Sequence, residues 1–363
     1  MTKQSVLDAL GTVQEPDLNK DIVTLNMVKD IEIEGNYISF TIELTTPACP
    51  LKDMIKSACI KAIRERENSA IVNVKFSANT SSSRGVNEAL LPQVRNIIAV
   101  VSGKGGVGKS TVAANLALSL AQDGARVGLM DADIYGPSVP IMFGIRGERP
   151  MMADVKGKGM ILPIEKYGIK IMSIGLLVDE KNAVVWRGPM ASSAIRQFVT
   201  DVLWGDLDYL VIDMPPGTGD IHLTLVQTVP VTGVVVVTTP QDVALADAKK
   251  GIAMFGQSQL KVPIIGLVEN MSYFTPLELP DNKYYIFGKE GGRRLAAEYD
   301  IPFLGEIPLV QKIREGGDSG KPAVLDQDPV SSSAFSEFAG NAVRSISRLN
   351  AKLEPAENAK ALS

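Results

Sequence analysis

Residues 103 to 111 read Gly103-Lys104-Gly105-Gly106-Val107-Gly108-Lys109-Ser110-Thr111, which contains the spacing Gly-x-x-x-x-Gly-Lys-Ser. Residues without a Cβ let consecutive backbone N–H groups turn toward one anion, and Lys109 adds a full positive charge at the same point. Ser110 is then placed to ligate the magnesium ion that accompanies a nucleotide. A glycine-rich turn alone can be purely steric. The phosphate-binding reading therefore depends on what flanks the loop: a strand must feed it and a helix must leave it. Ile97 to Val100 supply the apolar strand end, and Val112 to Ala121 read as an apolar helix whose positive end opens at Lys109.

Carboxylates follow at two more strand ends. Ala125 to Met130 lead into Asp131-Ala132-Asp133-Ile134-Tyr135-Gly136-Pro137-Ser138, and Tyr209 to Ile212 lead into Asp213-Met214-Pro215-Pro216-Gly217-Thr218-Gly219-Asp220. Open α/β sheets bind ligands beyond the carboxyl ends of their strands. An acid after an apolar strand, here Asp213, is the Walker B arrangement that holds magnesium directly or through water. Asp131 and Asp133 have helix capping or loop solvation as their plain alternative. His222, the single histidine, reads as a surface or cap residue and is given no role.

Only two cysteines occur, Cys49 and Cys59. Pro50 is expected at the first position of a helix carrying Leu51, Met54, Ile55, Ala58 and Ala62, so Cys49 falls just before a helix N-terminus. There the helix dipole would favour the thiolate, which makes Cys49 a candidate reactive or ligand sulfur; a small apolar residue at a cap is the alternative. Cys59 lies on the apolar face of that helix and reads as core.

These groups need a scaffold. Strand and helix signals alternate from residue 95, with further strands at Gly233 to Val237 and Ile264 to Val268 and helices at Val243 to Phe255 and Gly291 to Glu298. Such alternation predicts a mostly parallel sheet covered on both faces, an α/β domain over 95–350. It ends in an amphipathic helix from Ala334 to Leu349, with 351–363 as a flexible tail. Residues 1–80 predict a small α+β domain: a helix near Ser5 to Leu10, strands at Val28 to Ile33 and Tyr37 to Leu44, the Cys49 helix, and a strand through Val72, Val74 and Phe76. Residues 81–94, which include Ser81-Ser82-Ser83-Arg84-Gly85, read as a linker.

The 363 residues carry a formal net charge of -4, 45% hydrophobic and 21% charged residues, as in an ordinary globular protein. An acidic balance supplies no footprint for nucleic acid. With no apolar signal core near Met1 and no window of about 18 apolar residues, neither secretion nor membrane spanning is expected. Two cysteines are too few for a disulfide framework, and a cytoplasmic location is expected.

With Lys104 inside the loop, the stretch resembles the deviant Walker A signature of the MinD, ParA, ArsA and nitrogenase iron protein class. That resemblance implies a homodimer in which Lys104 reaches the partner's nucleotide. Together with Trp186-Arg187-Gly188-Pro189-Met190 and the Asp131 and Asp213 stretches, residues 95–350 look like the Mrp/ApbC family of iron-sulfur cluster carrier ATPases. Residues 1–80, through Glu15-Pro16-Asp17-Leu18 and Thr46-Pro47-Ala48-Cys49-Pro50, resemble the small MIP-type iron-sulfur assembly domain. The resemblance implies a magnesium-dependent ATPase, with Asp133 polarising the attacking water, Asp213 and Ser110 at magnesium, and Asn270 hydrogen-bonding adenine. It also implies apoprotein recipients and iron-sulfur assembly proteins as partners.

One departure stands out. Typical members carry a Cys-x-x-Cys pair after Glu269-Asn270-Met271-Ser272-Tyr273-Phe274, whereas here Thr275-Pro276-Leu277-Glu278-Leu279-Pro280-Asp281-Asn282 follows, with no sulfur. Any cluster on this chain must then use Cys49. Two other functions share the fold: a MinD- or ParA-like ATPase that switches membrane or DNA attachment, which the acidic balance opposes, and a metabolic phosphotransferase.

Overall fold

A computed structural model describes residues 1–82, 90–177, 188–219, 222, 225, 226, 228–256, 262–276, 278, 279, 281–326 and 328–353. Trp186, Arg187, Asp220, Leu277, Pro280 and the tail from 354 therefore lie outside the described residues. The chain forms two compact units, Met1–Ser83 with Ser347–Ser363, and Arg84–Ile346.

In the first unit, helix α1 (Lys3–Leu10) opens at Thr2, whose hydroxyl accepts from the Ser5 N–H at 3.2 Å. A short ladder of β1 (Gln14–Glu15) and β2 (Lys20–Asp21) precedes a three-stranded sheet of β3 (Val28–Glu34), β4 (Tyr37–Leu44) and β5 (Ile71–Ala78), with β4 central. Ile38, Phe40, Ile42 and Leu44 alternate along β4 and are all buried, packed with Leu10, Ile55, Cys59 and Ile63. Each such side chain contributes about 1.5–3 kcal/mol of burial.

Helix α2 (Lys52–Arg66) crosses between β4 and β5 and starts later than the proline rule predicts. Leu51 is its cap, and the Lys52 N–H turns back to the Cys49 carbonyl at 3.4 Å, so Pro50 belongs to a preceding turn. Cys49 thus sits two residues before the cap, while the dipole acts within the first turn. The expected reason for a stabilised Cys49 thiolate is weakened accordingly.

The second unit is an eight-stranded sheet. Its elements are β6 (Val94–Val101), α3 (Lys109–Gln122), β7 (Val127–Asp131), α4 (Val139–Met142), a hairpin of β8 (Met152–Val155) and β9 (Lys158–Ile161), β10 (Ile164–Lys166), β11 (Ile169–Ser173), α5 (Gly188–Thr200) and β12 (Leu207–Asp213). There follow β13 (Gly233–Thr238), α6 (Asp242–Phe255), β14 (Ile264–Phe274), α7 (Gly291–Glu298), β15 (Phe303–Leu309), α8 (Gln311–Ser319) and α9 (Pro329–Leu353), of which the residues up to Ile346 belong to this unit. The sheet order is β10-β11-β7-β12-β6-β13-β14-β15, parallel throughout except for β10 at one edge.

Strands β7, β12 and β13 are buried at every residue, as central strands covered on both faces must be. The sheet places its chemistry by register: Ser173 pairs with Asp131, Asp131 with Asp213, and Asp213 with Val100. Two carboxylates and the strand that feeds the glycine loop therefore end on one row. Among the described residues no helix is long and apolar enough to cross a membrane.

Candidate functional site

The loop from Ser102 to Gly108 joins β6 to α3, as its residues require. Gly106 and Gly108 take left-handed backbone, with φ of 85° and 80°, which a side chain resists. Gly108 also caps α3, and a Cβ there would run into Asn270 Nδ2. Gly103 is needed for a different reason: a Cβ on it would meet the backbone of Asp247 in α6. The Ser102 hydroxyl donates to the Lys104 carbonyl at 2.9 Å and braces the turn. Lys104 itself is half-buried and forms no ion pair among the described residues.

Lys109, the first residue of α3, is 6% exposed and points back over the loop. Its Nζ lies 2.5 Å from Asp213 Oδ1, 3.2 Å from Ser110 Oγ and 3.9 Å from Asp133 Oδ2. The structure thus brings Lys109, Ser110, Asp133 and Asp213 together at the mouth of one loop. Asp213 is fully buried, and its Oδ2 has no hydrogen-bond partner among the described residues. Burial pushes the Asp213 carboxyl above its usual range, and the Lys109 charge pulls the other way.

Asp131 is equally buried and acts as a bracket. One oxygen accepts the Asp133 N–H at 3.1 Å; the other accepts the Ser173 hydroxyl at 2.9 Å and the Val139 N–H at 3.3 Å. Burial, then the charge of Asp213, raises the Asp131 carboxyl. Asp133, held through its own N–H, accepts from the Gly136 N–H at 3.3 Å and keeps Oδ2 toward Lys109. Ser173 carried no signal in the sequence, because its role depends on a pairing partner 42 residues away in a strand too short and mixed to be read.

Asn270 lies on β14, which runs past the expected end at Val268 to Phe274. Its Nδ2 donates to the Val107 carbonyl at 2.8 Å, tying strand to loop. A cavity of about 390 Å³ opens beside Gly108 and Thr111, bounded by Asn270, Met271, Pro308, Leu309, Val310, Met142 and Arg314. Its walls are mainly apolar, as a planar base requires. None of Pro308 to Val310 stood out in the sequence, since their meeting with Asn270 is made by the β14–β15 pairing.

His222 departs from its sequence reading: it is 2% exposed, not a surface residue. Its Nε2 lies 2.9 Å from the Pro215 carbonyl in the segment after Asp213, and burial lowers its basicity.

The two thiols, neither in a disulfide, differ sharply. Cys59 is fully buried in the first unit's core as expected, and burial pushes its thiol up to about 12. At pH 8 only about one part in ten thousand is then thiolate, the form that reacts. Mass spectrometry after iodoacetamide treatment of the folded chain should show a single adduct, on Cys49, with Cys59 modified only in denaturant. A doubly modified native chain would contradict the packing. Among the described residues no group of three or more His, Cys, Asp or Glu side chains is gathered for a metal ion.

Comparison with known proteins agrees with this architecture. The family profile described as NUBPL iron-transfer P-loop NTPase matches residues 93–343, and one described as iron-sulfur cluster assembly protein matches residues 3–76. The chain is 50% identical over 335 residues to the iron-sulfur cluster carrier protein of Synechocystis, covering 92% of this chain and 94% of that one. It is 49% identical over 323 residues to the carrier protein of Deinococcus radiodurans, covering 88% and 89%. Among solved structures, a nucleotide-binding protein of Archaeoglobus fulgidus in complex with ADP superposes with a TM-score of 0.57 at 39% identity, over 68% of this chain and 93% of that one. The first profile spans the phosphate loop and both carboxylate-bearing strand ends of this chain, and the second spans its small α+β unit: the chain belongs to the NUBPL iron-transfer family of P-loop NTPases.

Proposed function

We propose that this chain is an ATP-binding and ATP-hydrolysing iron-sulfur cluster carrier that takes up clusters and passes them to apoproteins. The observation that carries the reading is the convergence of Lys109, Asp133 and Asp213 on one phosphate loop, in a chain whose relatives are named as cluster carriers. The loop N–H groups of residues 103–111 and the positive end of α3 receive the phosphates, with Lys109 leaving Asp213 to meet them. Asn270 and the adjoining cavity take the adenine.

Magnesium fits the residues present, since the buried Asp213 Oδ2 lacks a partner among the described residues and the Lys109 Nζ that meets Asp213 Oδ1 also lies 3.2 Å from Ser110 Oγ. Ser110 and Asp213 would hold the ion, which when bound neutralises charge on the phosphate oxygens. Asp133 orients a water and accepts its proton as the water oxygen attacks the terminal phosphorus and the bond to the ADP oxygen breaks. Asp133→Asn should keep ATP bound and slow turnover at least about 100-fold, the usual worth of a positioned base.

Two chains pair in this reading, Lys104 of each reaching the nucleotide of the other, and the half-buried Lys104 without an ion pair among the described residues supports that use. Cluster is cargo, and Cys49 is its ligand on this chain. A dimer brings two such thiolates, so carboxylates, a small thiol or the recipient complete the iron coordination and leave the cluster transferable. Thiols outside any disulfide fit a cytoplasmic, reducing setting.

Anaerobic reconstitution of wild type and Cys49→Ala with iron and sulfide tests carriage. Iron and sulfide should be retained by wild type and lost from the variant. Equal content in both would remove Cys49 as a ligand, and no iron in either would end the carrier reading.

A further inference from the structure

The segment after Asp213 faces the phosphate loop, with Pro216 about 4.0 Å from where a Cβ on Gly105 would sit. Two of its residues, Pro215 and Pro216, have no N–H to donate, so few bonds can fix it. Among the described residues these are the Met214 N–H to the Val100 carbonyl at 3.1 Å, the Gly217 N–H to the Ser102 carbonyl at 2.9 Å, and two from His222. The His222 backbone N–H donates to the Gly219 carbonyl at 3.0 Å, and its ring reaches Pro215.

A carbonyl oxygen only accepts, so at 2.9 Å the ring must carry its proton on Nε2 and donate it to Pro215. Nδ1 then holds a lone pair, buried and without a partner among the described residues. The ring is therefore a donor held against a carbonyl that is itself buried, in a segment whose two prolines leave few other groups to fix it.

We propose that His222 is a positioning residue for nucleotide hydrolysis: as a neutral donor it clamps the Pro215 carbonyl, and so sets where Asp213 and Pro216 stand against the phosphate loop. It touches neither the nucleotide nor the reacting atoms. The kinetic side of this inference rests on the ATPase reading above, whereas the clamp itself does not.

Three variants of the full chain test it: His222→Leu keeps bulk without a donor, His222→Gln places an amide N–H near the Nε2 position, and His222→Asn offers one that is too short. Amide hydrogen exchange at Gly217 reports the clamp without any need for turnover. In His222→Leu and His222→Asn it should rise at least tenfold, with exchange in β12 unchanged, while His222→Gln stays within about threefold of wild type. In steady-state ATPase assays the same two variants should lose at least about tenfold in kcat with nucleotide Kd little changed, because misplacement by about 1 Å costs turnover before binding. His222→Gln should recover it.

Unchanged Gly217 exchange in His222→Leu, or equal defects in His222→Gln and His222→Leu, would overturn the clamp. If His222→Leu fails to fold, the contrast between the glutamine and asparagine variants decides alone, and equal behaviour of those two overturns it. Wild type that binds ATP without hydrolysing it would refute the ATPase reading, and the exchange measurements would still decide the clamp.

Discussion

Lys109→Ala should abolish ATP turnover, with a loss of at least about 100- to 1,000-fold in kcat, because it removes a buried cation at the mouth of the phosphate loop. The substitution also acts on the fold. Lys109 Nζ is 2.5 Å from a carboxylate that has no exposure, and removing one partner of such a pair costs about 3–5 kcal/mol. Part of that loss can be escaped by protonation. Burial already raises the Asp213 carboxyl and Lys109 opposes it, so without Lys109 it rises further.

A folded state that holds a proton which the unfolded chain releases above about 3.8 loses stability as pH rises from there through the folded value. The variant should therefore be closer to wild type in thermal melts at pH 5 than at pH 8. Adding Asp213→Asn should restore much of the stability at pH 8 and none of the turnover. A double variant as unstable as the single one would show that the pair is not the source of the cost.

Gly108→Ala should be nearly as damaging, and its effect can be split. The residue has φ of 80°, which an alanine tolerates only at about 1–2 kcal/mol, and its Cβ would displace Asn270 from the Val107 carbonyl. Gly106 has φ of 85° but open space around its Cβ position, so Gly106→Ala carries the backbone cost alone. Fluorescent nucleotide titrations should show at least about a tenfold weaker Kd for Gly108→Ala than for Gly106→Ala, since a steric shift of the loop and Asn270 exceeds backbone strain. Equal affinities would mean that the Asn270 contact does not shape the site.

Much of this site could be read from residues alone, and the reason is local. A loop whose glycines, lysine and serine must be consecutive, and acids that must end apolar strands, leave their pattern in short stretches such as 97–111 and 209–213. What depends on distant pairing leaves none. Ser173 became visible only when β11 took its place beside β7, and the walls Pro308 to Val310 only when β15 paired with β14.

The hairpin of β8 and β9 lacks a buried face, so its burial pattern offered no period to find. The burial of His222 is hidden for the converse reason: a lone polar residue in a polar motif looks solvated until the fold closes over it. At Cys49 the proline rule itself misled, because Pro50 sits in a turn that precedes the cap rather than in the helix.

The strand order has a consequence for how the molecule is made. Strand β6, which feeds the phosphate loop, pairs with β12 and β13 and with neither of its own neighbours in sequence. Val94 leaves the ribosome 113 residues before its partner Leu207, the difference between the two positions in the ladder. At about 5–20 residues per second, the interval is roughly 6–23 seconds. Throughout it the run Ile97 to Val101, fully buried in the finished sheet, has neither edge paired. The chain is thus most open to wrong partners early in its synthesis, and at the segment on which nucleotide binding later depends.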